Sequence, residues 1–317
     1  MGNRFTILYS SHRVEFLSCL KKYMDRSDII ILEDAPSESF LKMLNGDISV
    51  EEFLSDEIYE FPMFSFYFYK MLKHLKEQGK TILQIEPYME RLFKIHSLFS
   101  EGKSPQDVES ISELNEVYQC EKKATKALID FYEISLKNSF DEVVNSVKRF
   151  ARLDAYRFRL RDELRAKAIC KILPKDGNVL IEAGAIHQYL RKILLERLGK
   201  DVKTVFALED TVKKLTGKRW IFPPGDILTL RYIFEAKENE ELENLLSARA
   251  LVYIMLIKKE EMLPTERKPI PHLLDEIEVV GLVNRLSYSD CEKLYPEIRF
   301  VSRLKALKTV RDYILRK

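Results

Sequence analysis

The chain has 317 residues, enough for one large or two ordinary domains, and its 46% apolar and 11% aromatic content provides for a sizeable core. A net charge of +2 excludes the global positive field of a nucleic-acid- or membrane-surface-binding protein. Charged residues make up 32%, rich in Lys and Glu with few Gln, a balance that points to a thermophilic source.

Phe5 to Tyr9 is a short apolar run and predicts a first strand. Ser10 or Ser11 is placed to cap a helix starting near His12, with Phe16, Leu17, Leu20 and Met24 as its apolar stripe. Asp28 to Leu32 reads as a buried parallel strand ending in Glu33 and Asp34. A loop with a short helix follows at Pro36 to Gly46. Ile58 to Leu75 is dense in aromatics around Phe64, with Pro62 suited to a helix start; core packing is its first reading, a pocket wall its second. Thr81 to Ile85 predicts a third strand, with Glu86-Pro87 behind it. Pro105 to Leu173 reads almost wholly as helix, in two long segments broken near Asn138 to Asp141. Asn178 to Ile181 and Val202 to Ala207 predict the fourth and fifth strands, with an amphipathic helix at Gln188 to Leu198.

Gly217 to Asp226, with two prolines and two glycines, marks a boundary, and Leu228 to Lys317 is helical by periodicity. The expected fold class is therefore α/β, a mostly parallel sheet flanked by helices. Residues 1–222 would form an α/β core with a helical insertion at about 97–175, and residues 223–317 a helical C-terminal region. The final helix is basic, but its regular apolar stripe makes a solvated polar face the ordinary reading, so no nucleic acid is expected. The four cysteines form no CxxC pair, which argues against a disulfide framework or zinc knuckle. No secretory segment opens the chain, and the longest apolar run, Ala250 to Ile257, falls far short of the ~20 residues of a membrane span. These features predict a cytoplasmic protein with no membrane span.

Four strand-like runs end in ionisable groups: His12, Glu33, Glu86, and Glu182 with His187. A charge at one strand end is ordinarily structural. Parallel strands, however, bring their carboxyl ends to one edge, where α/β proteins place their chemistry. Histidine and carboxylate together suit a divalent metal such as Zn, Mn or Fe, or a metal-free general base. Both histidines would lie at helix N-termini, whose dipole favours the neutral ring.

Tyr-Ser-Ser-His at 9–12, Ile-Leu-Glu at 31–33, Arg-Asp-Glu-Leu-Arg-Ala at 161–166 and Gly-Ala-Ile-His at 184–187 together resemble the motifs of one superfamily. It comprises the TraB/PrgY proteins, the TIKI proteases, the ChaN haem-binding proteins and the erythromycin esterases. The resemblance covers Phe5 to Ala207, and Tyr9 stands where its first GxxH motif has glycine. It implies a metal-dependent hydrolase, peptidase- or esterase-like, with His12, Glu33 and His187 as catalytic and metal-ligating residues. Arg161 would hold a substrate carboxylate or an oxyanion, with Asp162 orienting it; Glu86 and Glu182 are secondary candidates. Without the resemblance, Arg161 would read as part of a solvated face on a charged helix. The substrate would be a small molecule or peptide. The alternative is a non-enzymatic ligand-binding protein, haem-type or regulatory, on the same fold. The C-terminal helices offer a surface for oligomer formation.

Overall fold

A computed structural model describes residues 4–55, 58–137, 139–172, 177–199 and 202–317. Strands β1 (Arg4–Ser10), β2 (Ile29–Leu32), β3 (Thr81–Gln84), β4 (Asn178–Gly184) and β5 (Val202–Phe206) form one sheet in the order β3-β2-β4-β1-β5. Every pairing is parallel. The α/β class is thus as expected. The strands are β-branched, apolar runs because helices cover both faces of the sheet.

Helix α1 (Leu17–Met24) joins β1 to β2, after a single tight turn at Val14–Phe16. Helices α2 (Glu38–Asn45), α3 (Val50–Ser55) and α4 (Pro62–Glu77) lead to β3. Helices α5 (Pro87–Ser100), α6 (Pro105–Ser110), α7 (Ser112–Lys137) and α8 (Phe140–Ile172) lead to β4, and α9 (Gln188–Leu198) leads to β5. Then come α10 (Glu209–Thr216), α11 (Pro224–Ile233), α12 (Glu240–Leu256), α13 (Pro271–Val283), α14 (Tyr288–Ile298) and α15 (Arg303–Arg316). Asn138 and Leu173, named above at helix limits, lie outside the described residues.

Two local expectations are corrected. Neither Ser10 nor Ser11 caps the first helical turn, whose cap position is Arg13. Ser10 is still part of β1, and its hydroxyl is donated to Glu182 instead. The fourth strand runs past Ile181 to Gly184, so Glu182 lies inside it.

The chain divides into two compact units. The first comprises Met1–Tyr118, Arg159–Arg219 and Glu260–Pro269, and holds the sheet. Strand periodicity sorts its core. Phe5, Ile7 and Tyr9 of β1 and Val179, Ile181 and Ala183 of β4 face Ala166 and Ile169 of α8 and Leu190 and Leu194 of α9. Leu8, Ser10, Leu180 and Glu182 therefore point to the opposite face, on which α1 packs against β1 and α4 against β3.

The second unit comprises Gln119–Phe158, Trp220–Lys259 and Ile270–Lys317, and its described residues form helices and connections only. Val143 and Val144 of α8, Leu251 and Leu256 of α12, Val279 and Val283 of α13, Leu294 of α14 and Val310 of α15 build one core. Among the described residues no helix is long and apolar enough to cross a membrane. All four cysteines are free thiols.

Asp290 closes this second core. Its carboxylate accepts from Ser287 N–H at 2.7 Å, the Ser287 hydroxyl at 2.7 Å, the Tyr313 hydroxyl at 2.7 Å and Lys317 Nζ at 2.6 Å. Burial favours the neutral acid, but Lys317, Ser287 and Tyr313 outweigh it and hold the carboxyl well below its ordinary range. Replacing Asp290 with Ala removes the charged acceptor that these four bonds share and breaks the capping box of α14. Denaturant unfolding should show a loss of about 1–3 kcal/mol.

Candidate functional site

Strands β1 and β4 end side by side, with Ser10 opposite Gly184. From β1 the chain crosses to β2, on the far side of β4; from β4 it crosses to β5, on the far side of β1. The two connections depart in opposite directions. Such a switch point opens a crevice at the strands' carboxyl ends. The site fills it with an inner, buried layer and an outer layer facing a pocket.

In the inner layer, His187 presents both ring nitrogens to carboxylates: Nε2 to Glu33 at 2.8 Å and Nδ1 to Asp162 at 2.5 Å. Asp162 also accepts the Leu190 N–H at 2.8 Å, so an acid from α8 caps the N-terminus of α9. Glu33 accepts from Gly184 N–H at 2.7 Å and from Arg161 at 3.2 Å. Arg161 reaches Glu86 at 3.4 Å as well. Arg165, fully buried, donates to the carbonyls of Ile85 at 3.0 Å and Glu182 at 2.7 Å, and lies 3.6 Å from Glu33. Tyr9, in the position where the resemblance has glycine, donates its hydroxyl to the His187 carbonyl at 3.1 Å.

Burial alone would push His187 toward the neutral form, but Glu33 and Asp162 override it and raise its pKa to about 10. Burial likewise opposes the charge on Glu33, yet His187, Arg165 and Arg161 hold that carboxyl well below its usual range. Glu86 is shifted the other way, since its burial outweighs Arg161 and Arg165. The expectation of neutral imidazoles is therefore corrected. A helix dipole offers about half a charge, and two carboxylates in direct contact exceed it.

In the outer layer, His12 Nε2 lies 3.3 Å from Glu182, which also accepts the Ser10 hydroxyl at 3.3 Å and the Glu33 N–H at 3.4 Å. Burial lowers the His12 pKa, but the hydrogen bond and charge of Glu182 raise it to about 9. Half of the ring meets solvent, with 51% exposure, so this pair is screened as the buried one is not. Asp34, beside them, is raised to about 7 by burial and by the charge of Glu182. These groups form one end of a pocket of about 430 Å³. Its wall is aromatic. The His12 ring stacks on Phe64 at 5.4 Å, Phe64 stacks on Phe68 at 5.2 Å, and the Arg13 guanidinium sits 3.3 Å over Phe61. The aromatic segment thus does both of the things its sequence suggested, since Phe64 and Phe68 are buried and also line the cavity.

The structure brings His12 to Glu182, and Glu33 to His187 and Arg161, within one crevice. It sets only His12, Glu33 and Glu182 of the sequence candidates on the pocket lining. Arg161, Asp162, Glu86 and His187 stand behind them, and Arg161 is spent on two protein carboxylates. The sequence suggests no site role for Arg165, Ser10 or Asp34, which the structure places in or beside the crevice.

His12, Glu33 and Glu182 are the donors that could turn toward a metal, and imidazole with carboxylate suits a borderline divalent ion. As arranged they do not form a ligand shell. Both His187 nitrogens are engaged, and among the described residues no group of three or more His, Cys, Asp or Glu is disposed to hold an ion.

The chain is 34% identical over 289 residues to a protein of Archaeoglobus fulgidus described as uncharacterized. The match spans 91% of this chain and 97% of that protein. The chain belongs to that protein's family. Coverage this wide takes in both units, so the family shares the helical unit as well as the sheet. No family model and no solved structure matches the chain.

The aromatic wall depends on a distant residue. Helix α4 has no side-chain cap of its own. Instead Glu261 accepts from Met63 N–H at 3.0 Å and Phe64 N–H at 2.8 Å. Glu261→Ala removes this cap at a cost of ~0.5–2 kcal/mol. Hydrogen exchange should accelerate at the first turn of α4 while the sheet amides keep their protection.

A second prediction concerns His187. Its raised pKa stabilises the fold fully below about pH 6.5, and that contribution is lost as pH climbs through about 10. Nitrogen-detected NMR should show a doubly protonated ring at pH 8. Stability between pH 7 and 10 should fall less steeply in Asp162→Asn than in the wild type.

Proposed function

We propose that the protein is a hydrolase, peptidase- or esterase-like, acting in the crevice at the carboxyl ends of β1 and β4. The observation that carries this reading is the His12–Glu182 pair at 3.3 Å, set at the end of a pocket and backed by a buried charged cluster. The motif resemblance to the TraB/PrgY, TIKI, ChaN and erythromycin esterase superfamily supports a hydrolytic site in this crevice and names His12; Glu182 enters from its contact with that ring. Free thiols throughout agree with a cytoplasmic setting.

The chemistry follows from where the protons sit. His12 with a pKa of about 9 is an imidazolium at neutral pH, so it serves as acid and Glu182 as base. Glu182 takes a proton from the attacking water. His12 gives one to the leaving oxygen or nitrogen. The proton then passes from Glu182 to His12 across their hydrogen bond, which restores the starting pair. The imidazolium itself is the donor nearest a developing oxyanion, since Arg13 is held over the Phe61 ring. Glu33, His187, Asp162 and Arg161 do not touch substrate in this scheme. They hold the ends of β2 and β4 in register around the pair.

Hydrolysis of a panel of activated esters and peptide anilides tests the reading. His12→Ala and Glu182→Gln should each lower turnover by about 10²–10⁴-fold with the fold intact by circular dichroism. Chelation should leave activity in place. Loss of activity with EDTA, recovered by Zn, Mn or Fe, would instead show that a metal activates the water, with His12, Glu33 and Glu182 as the residues that would hold it. No turnover on any substrate, with saturable ligand uptake in the pocket, would favour the binding-protein alternative.

A further inference from the structure

The proposed reaction leaves the ligand class open, and the pocket lining bears on it. We infer that the pocket takes a ligand with an aromatic or apolar group for the Phe64–Phe68 stack and a positive charge, an amine, beside it. The inference rests on the hydrolase reading only for which bond is cut.

Four carboxylates line the pocket: Glu33, Asp34, Glu60 and Glu182. Two are committed to protein cations. Glu33 faces His187 and Arg161, and Glu182 faces His12. Asp34 and Glu60 remain, and among the described residues no hydrogen bond holds the Asp34 carboxylate. The cations of the lining are His12 and Arg13. Both are taken: His12 by Glu182, and Arg13 by the Phe61 ring at 3.3 Å and the His12 carbonyl at 2.9 Å. The charge left over for a ligand is negative. An anionic ligand would meet acids without a free cation, whereas an ammonium would meet carboxylates and ring faces together. Arg13 on Phe61 shows that the wall already accepts a cation against a ring.

Three probes of one shape separate the possibilities: 2-phenylethylamine, 2-phenylethanol and 3-phenylpropionate, with binding read by titration calorimetry on the full chain at pH 8. The amine should bind at least about tenfold more tightly than the carboxylate, the factor that one unit-charge contact in a solvated pocket supplies. The alcohol should fall between. Phe64→Ala should weaken all three alike. Asp34→Asn should erase the preference, and exposed Glu60→Gln should reduce it without any risk to folding. Equal or tighter binding of 3-phenylpropionate, or a preference unchanged in both acid variants, overturns the inference. Hydrolysis distinguishes it from the parent reading. If L-phenylalanine p-nitroanilide is cleaved and its N-succinyl derivative is not, both stand. If both are cleaved equally, the hydrolase stands and the ligand class falls. Amine-selective binding without cleavage of either leaves the ligand class and removes the hydrolase.

Discussion

A carboxylate withdrawn from water costs several kcal/mol unless cations and N–H donors meet it. Glu33, with a side chain 10% exposed, is met by His187, Arg161, Arg165 and the Gly184 amide. Those partners come from two other parts of the chain, α8 and the end of β4 with its turn. Satisfying one acid therefore fixes the end of β2 against α8 and against the turn after β4. Arg165 adds to this by bonding the carbonyls of both Ile85 and Glu182, which joins the ends of β3 and β4. Within the inner layer, carboxylates and cations face one another: Glu33 and Asp162 meet His187, and Glu33 and Glu86 meet Arg161. Farther out, the His12 ring is half open to solvent while its partner Glu182 stays buried.

Sheet order and strand periodicity decide which residues belong to which layer. Side chains alternate along β1, so Ser10 points into the face that carries the pocket and Tyr9 into the face that carries α8 and α9. Tyr9 fills its place with a fully buried ring and spends its hydroxyl on the His187 carbonyl. A glycine there could do neither. Gly184 in turn leaves room on the pocket side, where a Cβ would lie 3.6 Å from the His187 ring and 3.7 Å from Glu33.

The strands are legible in the sequence because runs such as Ile29 to Leu32 are short, β-branched and bounded by polar residues. Parallel order was legible because long helical segments separate them, and that alone brings His12, Glu33 and Glu182 toward one edge. What was hidden depends on partners far away in sequence. Arg165 looks like a member of a solvated charged face, since nothing within its own helix shows that two strand ends will bury it. The protonation of His187 was misread for the same reason. The helix dipole is local and visible, but Asp162 and Glu33 reach the ring only in three dimensions. Asp34 suggests no role in the sequence, because its position near Glu182 comes from the pairing of β2 with β4.

Glu261 carries a consequence for biosynthesis. It stands 198 positions beyond the amide it caps, in a short stretch, Glu260–Pro269, that rejoins the sheet-bearing unit after the chain has built other helices. A nascent chain arrested before that stretch has all five strands and both motif histidines, yet the α4 start that shapes the cavity wall is unfinished. Synthesis therefore reaches His12 and Glu182 early and the finished start of α4 late, after most of the polypeptide has been made.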